Sequence, residues 1–130
     1  MDIPSVLCPF CNTEQETINH LFLNCPWSTD LWVKTGQWWG LPIPTLQNIE
    51  DFASWIEDNS GTSKAKKIKK VIFIAMLKGV WETRNNLIFK NVQTEKETVF
   101  RKAQSTAFLW ISSRSRKTTL EWPSWLAKPF

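Results

Sequence analysis

The only histidine and all three cysteines of this 130-residue chain fall between residues 8 and 25, in the order Cys8-x2-Cys11-x8-His20-x4-Cys25. Thiolate sulfur and imidazole nitrogen are the donors zinc prefers, and four of them held tetrahedrally close its coordination sphere. A two-residue gap lets one tight turn, stiffened by Pro9, aim Cys8 and Cys11 at a common point. Asn12 to Gln15 is polar and loop-like, and from Glu16 the chain reads as a short helix presenting His20, Leu21 and Phe22. Cys25 lies five residues past His20, just over a helical turn, and Pro26 then forces the chain out of that helix. The four residues can therefore converge on one structural zinc, with Leu7, Phe10, Ile18, Leu21 and Phe22 as its expected apolar shell. No coordination position is left for a reactive water. A redox Cys-Pro-Phe-Cys pair is one competing chemistry, but it usually sits at a strand-to-helix junction, a pattern this sequence lacks. Ordinary buried cysteines beside a satisfied histidine are the other.

Charge is split along the chain. Residues 1 to 60 carry eight acidic groups against Lys34 alone, a net −7, whereas residues 61 to 130 carry fifteen basic groups against four acidic ones, a net +11. The second half is the expected face for a polyanion. Its sharpest feature is "KAKKIKK", residues 64 to 70. Cations in the first turn of a helix oppose its dipole, so folding gains nothing from placing them there. Phosphate contact and a nuclear-import address are the two functional readings of such a run, and a merely solvated helix start is the plain one. The candidate nucleic-acid contacts are Lys64, Lys66, Lys67, Lys69 and Lys70, with a second group formed by Arg101, Lys102, Arg114, Arg116 and Lys117.

The elements that must position these residues read as helices. A first helix begins at Cys25 or Ser28, carries Trp27, Leu31, Trp32, Thr35 and Trp38 at helical spacing, and ends at Gly40. A second covers about Gln47 to Asp58 with Ile49, Phe52, Ala53 and Ile56 on one face. Thr62 or Ser63 offers a cap for a third, about Lys64 to Asn91, whose all-round apolar stretch from Val71 to Leu77 marks it as the central element. Thr94 with Glu97 spells a capping box for a fourth, striped by Val99, Phe100, Ala103, Ala107 and Trp110. The expected fold is all-α: a bundle of about four helices plus a short one, with an N-terminal Cys3His knuckle. It forms one domain over 1–130, divided into a knuckle at 6–26, a helical bundle at 27–113 and a C-terminal tail at 114–130.

Nine tryptophans and no tyrosine is an unusual aromatic inventory. Trp27, Trp32, Trp38, Trp55, Trp81 and Trp110 fall on helical spacing, where core packing is the expected use. Trp122 and Trp125, in the tail, are the candidates for docking a partner, although folding back over the bundle is the expected use even of these. The longest apolar run, residues 71 to 77, is far short of the roughly 20 residues a membrane span needs. With no secretory leader in view, the expected setting is intracellular and reducing, the nucleus more than the cytoplasm.

With these residues in hand, the knuckle resembles the zinc-binding region of reverse transcriptases from plant retrotransposons of the non-long-terminal-repeat (LINE) type. That pattern runs Cys-Pro-x-Cys, Glu-Thr-x-x-His-Leu-Phe, Cys and a downstream Trp, met here by Cys8, Pro9, Cys11, Glu16, Thr17, His20, Leu21, Phe22, Cys25 and Trp32. The stretch "GVWETRNNLIFKN" is similar to a segment found downstream of that knuckle, through Trp81, Arg84, Asn85 and Phe89. The resemblance implies one zinc and a role in placing RNA or DNA. Neither a paired-aspartate polymerase motif nor a two-metal nuclease arrangement is present, so no enzyme activity and no small-molecule substrate are expected. A domesticated protein-interaction module using a Trp-rich apolar surface is the alternative. For Arg84 and Asn85 the resemblance invites a functional role, but an internal hydrogen-bond hub tying the knuckle or a loop to the bundle is the favoured expectation.

Overall fold

The ends of the first three α-helices follow from their terminal residues. The computed structural model describes residues 6–114 and 120–130. A π-helical turn at His20–Asn24 leads into α1 (Pro26–Trp39), which has proline in its first turn, where a missing N–H is no loss, and Gly40 beyond its end at φ 71°. In α2 (Ile49–Asn59) the Asn48 side chain accepts the Asp51 amide at 2.8 Å, and Glu50 and Asp51 complement the dipole. α3 (Ser63–Lys90) is capped by Thr62 Oγ1, which accepts the Ala65 amide at 3.0 Å, and it ends on Asn91 in the left-handed region.

α4 (Lys96–Arg114) departs from expectation at its start. The Thr94–Glu97 capping box does not form, because the helix begins two residues beyond Thr94 and the Glu97 carboxylate is taken by Lys34 at 2.9 Å and Arg101 at 3.1 Å. Two strong cationic donors outcompete one backbone amide for the same oxygens.

α3 and α4 form the long hairpin of the molecule, joined through residues 91–95. Their close approach needs Gly79, where an added Cβ would sit 3.2 Å from Val99 Cγ1. α2 packs on α3, while α1 lies against α4 and the π turn. α3 is central, as its sequence implies, burying Ile68, Ile72, Phe73, Met76 and Val80. At the middle of the core Phe73 stacks on Phe52 with centroids 4.4 Å apart, and Trp32 lies 4.7 Å from Phe52.

The C-terminal segment folds back over the bundle, as expected of its tryptophans. Residues Trp122–Ala127 form α5, which drives Trp125 into the core. The Trp125 ring meets Trp38 edge-on at 5.2 Å; its Nε1 donates to the Gln104 carbonyl, and Trp38 Nε1 donates to the Trp125 carbonyl. Trp81 is corrected the other way: expected in the core, it is 48% exposed on the outer side of α3. No helix among the described residues is long and apolar enough to cross a membrane.

Candidate metal centre

Residues 6 to 16 form a hairpin-like loop closed by the Cys8 amide on the Glu14 carbonyl and the Glu16 amide on the Val6 carbonyl, both at 2.8 Å. Within it Asn12 takes φ 55°, a conformation asparagine tolerates well, and its amide returns to the Cys8 carbonyl. That turn places Cys8 and Cys11 side by side. The second pair is positioned by a device absent from the sequence reading. In an α-helix, residues five apart point roughly 140° away from each other. Here the turn widens into a π turn, closed by the Cys25 amide on the His20 carbonyl at 2.7 Å, and the two ligands come to the same side.

The ligand atoms of Cys8, Cys11, His20 and Cys25 all lie within 4.8 Å of one another. A tetrahedral zinc sets sulfur–sulfur edges of about 3.8 Å and sulfur–nitrogen edges of about 3.5 Å. The Cys8 and Cys25 sulfurs are 3.8 Å apart, and Cys11 Sγ is 3.4 Å from His20 Nε2. Donor set and spacing both fit zinc, and none of the three cysteines is in a disulfide. The Thr13 hydroxyl, with the Thr13 and Glu14 amides, donates to Cys11 and brings its pKa down to about 5. Burial acts oppositely on Cys25, pushing its thiol up to about 12 with Cys8 beside it. Three thiolates in so small a volume are tolerable only around a cation.

The apolar surround differs from the expected shell. Leu21 and Leu23 are buried and Phe10 stacks on Trp27 at 4.2 Å, but Leu7 and Ile18 are 49% and 66% exposed. They sit on the outward side of the loop, where the hairpin leaves no second layer. The knuckle is instead held inward. Trp32 Nε1 donates to the Phe22 carbonyl at 2.7 Å, and Ser28 Oγ donates to the Leu21 carbonyl. Arg84 makes a two-pronged contact to Glu16, Nε to Oε1 at 2.7 Å and a terminal nitrogen to Oε2 at 3.1 Å, while stacking over Trp81 at 5.1 Å and bonding Asn85. Arg84 thus ties the knuckle to α3.

An all-α bundle stapled at its start by a closed Cys3His centre is a structural metal-binding module, and its metal is zinc. Residues 1–32 match the family described as zinc-binding in reverse transcriptase, a span that takes in the whole knuckle and the first half of α1. No curated protein and no solved structure matches the chain.

The basic residues fare unevenly. Lys66 and Lys70 both pair with Glu57, which holds that carboxyl below its usual range, and Lys102 and Arg101 pair with Glu82 and Glu97. Lys69 is corrected as an open-surface contact: it is 3% exposed, donates to the Asn59 carbonyl and lies over the Trp39 and Phe130 rings, so it is not presented on the outer face of α3 with its neighbours. Its position three residues before Ile72 turns it inward with the core face. Lys64, Lys67 and Arg114 are exposed and have no carboxylate partner among the described residues. Arg116 and Lys117 lie outside the described residues. Of the two tail tryptophans, Trp125 is 1% exposed, folded back as expected and out of reach of a docking partner; Trp122, packed edge-on to Phe108, keeps 39% exposure.

Proposed function

We propose that this chain is a non-catalytic, zinc-stapled module of retrotransposon reverse-transcriptase descent, binding nucleic acid through its basic second half. One juxtaposition supports the reading. Lys67 and Arg114, one from each of the two basic groups in the sequence, line a single groove of about 530 Å³ with Val71, Ile74, Trp110 and Ile111. Unpaired cations beside a half-buried indole are the parts from which single-strand sites are made, phosphates meeting the charges and bases the ring. Arg101 and Lys102 sit about 18 Å back along α4, held by glutamates, and contribute less. The zinc is not the gripping surface: three thiolates on a divalent ion leave it formally at −1 within an acidic half. Its part is to hold the fold.

Anisotropy of the zinc-loaded protein against single-stranded RNA, single-stranded DNA and duplex DNA over a salt range tests this. Binding should weaken steeply with salt, and Lys67→Ala with Arg114→Ala should lower the salt slope by about 2. No binding at low salt would end the reading. It would favour a protein-docking module instead, on the exposed apolar group Trp81, Ile88, Phe89 and Val92 near the end of α3 rather than on Trp125.

A further inference from the structure

A second basic site shares no lining residue with that groove. Where α1 ends and α3 begins, the C-terminal residues fold over a pocket of about 410 Å³ whose walls include Trp39, Lys64, Lys69, Lys128 and Phe130. That volume falls in the range of small-ligand sites. No acidic side chain lines it, and none of its three lysines has a carboxylate within 4.0 Å among the described residues. The Lys69 ammonium, with three protons to donate, has one carbonyl at 3.3 Å and two ring faces at 5.0 and 5.7 Å. Burial lowers its pKa, as expected of a cation without a counter-ion.

Two further features belong to the same pocket wall. Trp39 is 2% exposed, and its Nε1 is the one buried side-chain donor left without a partner among the described residues. The N-terminus of the 28-residue α3 opens on the pocket through Thr62 and Lys64, bringing the positive end of its dipole. Buried donors are ordinarily satisfied, and a buried cation ordinarily has a partner. Trp39 and Lys69 break both rules at one pocket.

The geometry points to a phosphate-binding site at this pocket, with Lys69, Lys64 and Lys128 supplying charge, the start of α3 its dipole, and Trp39 one wall. A dianionic phosphate matches three ammonium groups and a helix N-terminus better than a single carboxylate does. Apolar Leu41 and Phe130 beside the cations leave room for the body of a nucleotide. The site shares its ligand chemistry with the proposed nucleic-acid surface but none of its lining residues, so separate variants distinguish the two.

The test follows the Trp39 indole N–H resonance, assigned with Trp39→Phe, in the full zinc-loaded chain. Titrants are inorganic phosphate, a 5′-mononucleotide, and oligonucleotides with and without a 5′-phosphate, with acetate at matched ionic strength as control. Phosphate and the mononucleotide should shift this resonance, and Lys69→Met should weaken the response at least tenfold without lowering thermal stability. A 5′-phosphate that strengthens the oligonucleotide response assigns the site to strand ends; equal responses to phosphate and mononucleotide assign it to the free anion. No shift at 10 mM phosphate, an equal shift with acetate, or a response untouched by Lys69→Met would overturn the assignment. Oligonucleotide binding that spares Trp39 leaves the Lys67–Arg114 groove standing and removes this pocket. A Trp39 response to phosphate with no oligonucleotide binding does the reverse.

Discussion

Replacing Arg84 by alanine should destabilise the protein by about 3 kcal/mol, through structure and not through any ligand. Exposed ion pairs contribute about 0.2–1 kcal/mol, while truncating one partner of a buried pair costs about 3–5 kcal/mol. Arg84 and Glu16 are 17% and 13% exposed and meet through two parallel hydrogen bonds, which places them nearer the buried limit. About 2 to 3 kcal/mol for the stranded Glu16 carboxylate, with about 0.5 kcal/mol for the lost stacking on Trp81, gives that figure. For a chain of this length the unfolding entropy near the midpoint is about 0.27 kcal/mol/K, so Tm should fall by about 10 °C. Calorimetry of the zinc-loaded native protein, Arg84→Ala, Glu16→Leu and the double variant gives the coupling directly. The double variant should be less damaged than the two singles summed, since neither charge is then left alone. A fall of less than about 3 °C for Arg84→Ala, together with a loss of nucleic-acid affinity, would refute the argument and make Arg84 a ligand contact.

Metal removal should act on the whole molecule. Cys8, Leu21, Leu23 and Cys25 belong to the same buried cluster as Trp32 and Phe73, so a chelator should lower a single cooperative transition instead of unfolding a detached knuckle. Metal analysis should find one zinc per chain, lost in Cys25→Ser. Trp125→Ala should cost about 3–5 kcal/mol, since the ring is 1% exposed and packs on Trp38 and Phe108; a shift of only 1–2 °C would mean that α5 does not dock in solution. Burial lowers the Lys69 pKa below its ordinary 10.5, so at alkaline pH the unfolded chain holds a proton the folded chain has released. Stability should therefore rise with pH through the folded-state value and level off above the unfolded one. In phosphate-free buffer Lys69→Met should be the more stable protein at pH 7 with a flatter alkaline limb; an unchanged limb would place the ammonium in water.

Features carried by local chemistry were legible in the sequence. Ligand spacing, Gly40 and Asn91 at helix ends, the Thr62 cap and the apolar run at the centre of α3 each act within one turn of chain. What escaped depends on long-range competition. Glu97 has the right spacing for a capping box, but nothing local shows that Lys34, sixty-three residues earlier, will reach it. That Trp125 folds back is expected, but its partners, Trp38 and Gln104, are not legible because they lie 87 and 21 residues away. Lys69 was grouped with its neighbours by charge, although its spacing from Ile72 and Met76 places it on the buried face of α3. Extending the apolar periodicity back through the lysines would have found it. The π turn had a faint signal: a ligand pair five apart fits no α-helical face, so some widening was needed.

The five lysines of residues 64 to 70 separate what folding needs from what it tolerates. Lys66 and Lys70 are compensated by Glu57. Lys69 is buried at a cost. Lys64 stands in the first turn of α3 against the helix dipole with no carboxylate beside it, so the fold would be better off with the opposite charge. Lys64→Glu should raise stability by about 0.3–1 kcal/mol, a Tm increase of about 1–4 °C, while weakening phosphate binding at the neighbouring pocket. A variant that melts higher and binds less marks a residue kept for its ligand. If Lys64→Glu melts higher and binds phosphate as before, the lysine is only a solvated helix start, and Lys69 and Lys128 must carry the site without it.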